Sequence, residues 1–220
     1  MVKEPVSITP SLVRHLTPTT DIKVKHGVIG LLKHLAQSQP IRAILGEARV
    51  LESLRTCEIF GDKADIAEPV QMSAINLAKH LCTANGNSCF ECLYSCANMP
   101  PVANSIVCVM DMTNGEPSTS CLNQVLALSR RSDAVHVKSE GARVLVNVIK
   151  SLCSSSGDLQ DPRRQAAIGS ITNLESANIL AHLLGRSTRS SKHVVLLNES
   201  IMSMCLLALH PNGGELCKIL

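Results

Sequence analysis

A twelve-residue apolar pattern that recurs along the chain restricts its fold more than any other feature. Between Val24 and Leu35, the residues Val24, Val28, Leu31 and Leu35 recur at steps of four, three and four, which places them on one face of a helix. Pro40 interrupts the pattern, and Ile44, Ala48, Leu51 and Leu54 then repeat it. Val24–Leu54 therefore predicts two amphipathic helices with a short polar joint. The first of them returns without a gap at Val70–Leu81, with Val70, Ala74, Leu77 and Leu81 on the stripe. Its Lys-His-Leu ending is repeated literally, at an offset of 46. A third copy runs from Val137 to Val148, carrying Val137, Gly141, Val144 and Val148, with Asn147 where His34 and His80 stood. A weaker fourth copy spans Asn198 to Leu209, with Met202, Cys205 and Leu209. The later offsets, 67 and 61, require insertions.

A pair of amphipathic helices cannot bury its apolar faces alone, so recurrence implies stacking. The first offset fits the ~40–47 residues of an armadillo or HEAT unit. The expected fold is all-α: a right-handed α-solenoid of about four armadillo- or HEAT-like repeats forming a single domain over residues 1–220. The repeat helices are placed near 24–54, 70–82, 122–152 and 177–209, with an irregular Cys-rich insertion at 83–121. One Tyr, two Phe and no Trp suit this architecture. Helices that pack through Leu, Val, Ile and Ala need no aromatics, whereas base-stacking RNA modules depend on them.

Charge and cysteine usage narrow the class further. A net charge of +3 from 21 basic and 18 acidic side chains lacks the concentrated basic face of a nucleic-acid binder. The N-terminal stretch has no continuous apolar region of the signal-peptide kind. No uninterrupted apolar run approaches the ~18–20 residues that span a bilayer. Ten cysteines without a secretory context point to a reduced, cytoplasmic protein, in which Cys82, Cys153 and Cys205 act as small hydrophobes.

Local signals fill in the rest. Leu12, Val13 and Leu16 form a short apolar segment closed by Thr17-Pro18-Thr19-Thr20, and Asp21 is placed to cap the helix that follows. Residues 55–69 read as a polar connector anchored by Phe60 and Ile66, with Asp65 and Glu68 suited to the positive end of the next helix. Leu122, Val125, Leu126 and Leu128 predict a helix that turns at Arg130–Asp133 into a long one ending near Leu152. A weak helix over 164–174 and a better one over 177–184 precede a basic, Ser-rich joint at 186–192. The final helix is expected to stop at His210–Gly214, with Gly213-Gly214 as its C-cap. Met204 and Leu207 fall on a face that is polar in the second and third copies. An apolar solenoid end needs a cap, so the chain is expected to be part of a longer array or to dock that end on a partner.

Chemistry-bearing patterns are few. Cys89, Cys92 and Cys96, with His80 and Cys82 upstream, supply zinc-type ligands. No second Cys-x-x-Cys follows at finger spacing, so no metal and no cofactor is expected. Neither a Gly-x-Ser-x-Gly elbow, a phosphate-binding Gly-rich loop nor a His-Glu-x-x-His is present, which argues against an enzyme. Arg186, Arg189 and Lys192 read as a solvated loop sooner than as a phosphate site.

The segment Leu45-Gly46-Glu47-Ala48, with Val50, resembles the junction between armadillo helices, although Arg49 stands where Gly is usual and Ile41 where Asn is common. That resemblance implies a concave groove formed by Gly30, Lys33, His34, Asn76, Lys79, His80, Arg143 and Asn147, whose amides and imidazoles would contact a partner or bond neighbouring turns. Three blocks resemble the armadillo-type GDP-dissociation stimulators of small GTPases, in their fungal form. They are Lys25–Leu35, Lys138–Asn147 and Leu209–Gly214. The resemblance implies a non-catalytic binder of a Ras- or Rho-class GTPase that loosens bound GDP or chaperones the GTPase tail. A generic armadillo scaffold without exchange activity is the alternative. Lys33, Lys79 and Arg143 depart from the acidic groove that a basic tail would need.

Overall fold

The computed structural model describes residues 8–61, 66–83, 120–154, 162–188, 194–211 and 213–217. The chain is all-helical, with no strand among the described residues. Its helices are α1 (Ile8–Val13), α2 (Ile22–Leu35), α3 (Gln39–Glu47), α4 (Val50–Thr56), α5 (Glu68–Leu81), α6 (Cys121–Arg131), α7 (Val135–Ser154), α8 (Pro162–Ile171), α9 (Leu174–Thr188), α10 (Val194–Ala208) and α11 (Gly213–Cys217). No helix among the described residues is long and apolar enough to cross a membrane.

The helices carrying the four sequence copies lie side by side. α2 packs on α5, α5 on α7 and α7 on α10, while α6, α8 and α9 pack against the same long α7. The α5–α7 pair shows the register. Glu68 meets His136, the Lys79 carbonyl meets Asn147 and the Cys82 carbonyl meets Ser151. These partners stand 68, 68 and 69 residues apart, so the two helices run parallel, as successive copies of one unit would. A single apolar cluster joins them, from Leu16, Ile29 and Leu32 through Ile75, Leu77 and Leu81 to Val144, Leu145 and Leu152.

Start signals hold where short-range chemistry sets them. Asp21 caps α2, its carboxylate accepting from the Lys23 amide at 2.8 Å. Ser120, which the sequence reading did not single out, caps α6 through the Asn123 amide at 3.1 Å. Phe60 is buried and Ile66 packs on the core, as expected of anchors. The expected stripes of the second and third copies, Val70-Ala74-Leu77-Leu81 and Val137-Gly141-Val144-Val148, are buried throughout.

Several expectations are corrected. In α2 the buried face is Lys25, Val28, Ile29, Leu32 and the following Ala36, whereas Val24 and Leu31 are exposed. The apolar band of α2 is wider than the surface that α5 and the short α1 cover. In α10 the expected Met202, Cys205 and Leu209 are exposed, and Ser200, Ser203 and Leu207 are buried instead. That helix is apolar almost all round, so periodicity could not orient it. Gly213 and Gly214 open α11 instead of only ending α10. A Cβ on Gly213 would fall 1.8 Å from the Leu207 carbonyl oxygen, so the chain passes this point only without one. α9 extends to Thr188, into the expected joint. The insertion reading at 83–121, the cysteine cluster, Asp65, Arg189 and Lys192 lie outside the described residues, apart from Thr83, Ser120 and Cys121 at the insertion's edges.

The second half of the 24–54 unit is two helices, not one. Arg49 adopts φ 53° and ψ 44°, the left-handed region, and divides α3 from α4. An L-residue with a Cβ pays roughly 1–2 kcal/mol there, which glycine avoids. Arg49→Gly is therefore expected to raise stability by up to about 1 kcal/mol, because the greater freedom of glycine in the unfolded chain offsets part of the gain. Arg49→Val should lower it. Urea midpoints of the two variants check the sign, and a drop for Arg49→Gly would contradict the strain argument.

Candidate functional site

The polar face shared by α5 and α7 gathers five of the eight residues expected to form a groove. α7 places Glu140, Arg143, Asn147 and Lys150 on one stripe, at steps of three, four and three. α5 brings Asn76, Lys79 and His80 against it, followed by Thr83. Glu140 is the node. Its carboxylate accepts a hydrogen bond from the Lys79 ammonium and a second from Arg143 Nη1 at 3.0 Å. Lys79 also donates to Asn76 Oδ1 at 2.9 Å. The Lys79 and Glu140 side chains are only 15% and 17% exposed, so water screens this pair weakly.

The amides on this face bond within the stack. Asn147 Nδ2 donates to the Lys79 carbonyl and to Thr83 Oγ1, both at 3.0 Å, and Asn76 Nδ2 donates to the Met72 carbonyl at 3.0 Å. Thr83 Oγ1 in turn donates to the Lys79 carbonyl at 2.8 Å. Arg42, from α3, donates to the Ala36, Gln37 and Thr83 carbonyls at 2.9, 3.3 and 3.2 Å, closing the C-terminal ends of α2 and α5 together. At the other side of the stripe, Lys150 reaches Glu199 of α10 at 3.6 Å.

Electrostatics follow from these positions. The His80 imidazole is held below its ordinary pKa by burial first, then by the positive Lys79 and Arg42, with Glu140 pulling the other way. Burial alone would raise the Glu140 carboxyl. The hydrogen bond from Lys79 and the charges of Lys79 and Arg143 outweigh it and hold that carboxyl below the usual range. Lys33 adds a further small positive influence on His80, which places α2's last turn beside this cluster.

Of the expected groove residues, Asn76, Lys79, Arg143 and Asn147 are joined by direct bonds or through Glu140, and His80 lies beside them. His34 is exposed, away from those bonds, and Gly30 has open space where a Cβ would stand. Sequence reasoning missed Glu140, Thr83, Arg42 and the Lys150–Glu199 pair. Glu140 and Arg143 sit at i and i+3, a legible signal. The bond from Lys79, 61 residues earlier, had none.

A concavity of about 290 Å³ lies between α6, α7 and α9, at the small end of ligand-sized clefts. Ala142, Ile179 and Leu183 line its apolar wall, and Lys138 and His182 its polar side. Arg130 and Glu175 pair across its rim at 3.2 Å. Among the described residues, no group of three or more His, Cys, Asp or Glu is placed to hold a metal ion.

No family model matches the chain, and no curated protein matches it. Among solved structures, the crystal structure of an engineered protein matches with a TM-score of 0.43 and 16% identity, over 91% of this chain and 79% of that one. A likeness that loose carries no argument about fold or function.

Proposed function

We propose that this chain is a non-catalytic protein-binding scaffold: a short right-handed α-solenoid of the armadillo kind that grips a small GTPase of the Ras or Rho class in the cytoplasm and speeds release of its GDP. The observation that carries the scaffold reading is the parallel register of α5 and α7, with partners 68, 68 and 69 residues apart. Repeated units stacked in register leave one continuous face for a partner, and such faces are where solenoids bind. The client is inferred from the three sequence blocks at Lys25–Leu35, Lys138–Asn147 and Leu209–Gly214.

The polar face suits the body of a GTPase better than its basic tail. Lys33, Arg42, Lys79 and Arg143 outnumber the single carboxylate of Glu140, so the face favours an acidic surface. Exchange needs no acid or base from this chain. Tighter binding to the nucleotide-poor conformation shifts the client toward it, and each tenfold of preference corresponds to about 1.4 kcal/mol. One observation favours the second reading, a scaffold without exchange activity. The Asn76 and Asn147 amides that would hold an extended peptide are already bonded within the stack.

The test is release of a fluorescent GDP analogue from Rho-, Rac- and Ras-type GTPases, with excess free GDP and purified protein. The expected result is at least a tenfold acceleration for one subset, reduced by Lys33→Glu on the rim. Binding without acceleration would leave the scaffold and remove the exchange activity. Neither binding nor release by any of them would overturn the GTPase reading.

A further inference from the structure

α10 carries apolar residues on both of its faces. Its inward face holds the fully buried Ser200 and Ser203 and the nearly buried Leu207, with Leu196, Met204 and Leu206 packed against the core. Ser200 Oγ turns back to donate to the Leu196 carbonyl at 2.7 Å, which lets α10 approach its neighbours closely. Its outward residues are large and apolar. Val194, Val195, Ile201, Met202 and the following Leu209 are each between 45% and 82% exposed. Asn198 and the exposed Cys205 complete the same stripe. Scattered exposed hydrophobics are ordinary, but a continuous stripe along a whole helix marks a covered surface.

We infer that this stripe is an isologous interface, covered by α10 of a second copy of the same chain running antiparallel to it. Two features of the stripe select that occupant. The first is its internal symmetry. About a centre between Ile201 and Met202, the antiparallel twin places Ile201 opposite Met202, Asn198 opposite Cys205 and Val194 opposite Leu209. Apolar residues thus meet apolar residues at the middle and at both ends, as a two-fold contact requires. The second is charge. Glu199 is the one charged residue of α10, and it is turned to Lys150 of the same chain. Pairing α10 with itself therefore buries no charge. The competing apolar surface, Val24 and Leu31 on α2, is flanked by Lys23, His26, Lys33 and His34, which a contact with α10 would strip of water.

The area sets the strength. The stripe spans sixteen residues, about 24 Å of helix, and covers on the order of 600 Å² per partner against the about 800 Å² of a standard interface. That size fits a reversible dimer with micromolar dissociation, not an obligate one.

Sedimentation equilibrium of the 220-residue chain between 1 and 100 µM tests this. The expected result is a shift from 23.6 kDa to twice that mass across the range. Met202→Lys, at the centre of the exposed stripe, should weaken the dimer at least tenfold with an unchanged circular dichroism spectrum. Leu31→Lys on α2 should leave it intact. A monomer at 100 µM would overturn the proposal. So would a dimer that survives Met202→Lys, a dimer broken by Leu31→Lys, or species that grow past two copies, the mark of a head-to-tail contact.

Discussion

Glu140→Ala is expected to lower the stability of the fold by about 2–3 kcal/mol, or some 5–10 °C in Tm for a chain of this size. The carboxylate, on α7, joins that helix to α5 through Lys79, 61 residues earlier in the chain, and holds Arg143 of its own helix beside it. Removing it leaves the Lys79 ammonium, only 15% exposed, without its carboxylate and beside the His80 imidazole. Breaking one side of a fully buried pair costs about 3–5 kcal/mol, and the partial exposure of this one brings the figure down. Glu140→Gln keeps an acceptor for both donors and should lose about half as much. Urea unfolding of the three proteins gives the comparison, and equal stability would show that Lys79 and Arg143 find water as readily as Glu140.

The same node shapes the response to acid. His80 is held below its ordinary 6.5, so the unfolded chain takes up that proton at a higher pH than the folded chain does. Its contribution is complete above pH 6.5 and is lost as the pH falls through the folded value. Glu140 is held below 4.5, so its contribution is complete above that value and is lost as acid protonates the folded carboxylate. Stability should thus decline in two stages below about pH 6.5, and Glu140→Ala should shrink the lower one, to which Glu52, held low by its hydrogen bond from Arg55, also contributes. The variant should also shift the His80 titration, followed by NMR, further down, because Glu140 is an influence that raises it.

Gly141→Val is expected to cost about 3 kcal/mol, and Gly141→Ala about 1–2 kcal/mol once the better helix propensity of alanine is set against the clash. A Cβ at this position would fall 1.8 Å from Ser129 Oγ and 3.0 Å from Ser129 Cβ, where α6 meets α7. The hydroxyl cannot swing aside without losing its bond to the Val125 carbonyl at 2.8 Å. Even with the hydroxyl moved, Ser129 Cβ holds the helices too close. Ser129→Ala in the Gly141→Ala background removes the 1.8 Å clash but keeps the Cβ at 3.0 Å, so it should recover only part of the loss, a coupling of about 0.5–1 kcal/mol in a double-mutant cycle. Additive losses would show that α6 and α7 separate instead of clashing.

Sequence alone determined that the chain is helical and about where α2, α5, α6 and α7 begin, because those outcomes rest on neighbours three or four residues apart. The stripes of α5 and α7 could be read because each helix is amphipathic and has helices packed on both sides. The caps at Asp21 and Ser120 depend on the next two or three amides. In the candidate site, Asn76, Lys79, Arg143 and Asn147 were legible as one face through the repeat offset. Their cross-helix partners were not. Glu140 reaches Lys79 and Arg42 reaches the Thr83 carbonyl only after helices distant in the chain have stacked.

Tertiary structure decided the rest, and for one physical reason. Periodicity reports that a helix has an apolar side, and only the neighbour reports which part of it is covered. α2 and α10 carry more apolar surface than the helices packed on them cover. Packing therefore chose Ile29 and Leu32 over Val24 and Leu31, and Ser200 and Ser203 over Met202 and Leu209. A small residue facing inward lets two helices approach, and no local pattern distinguishes that serine from one turned to solvent.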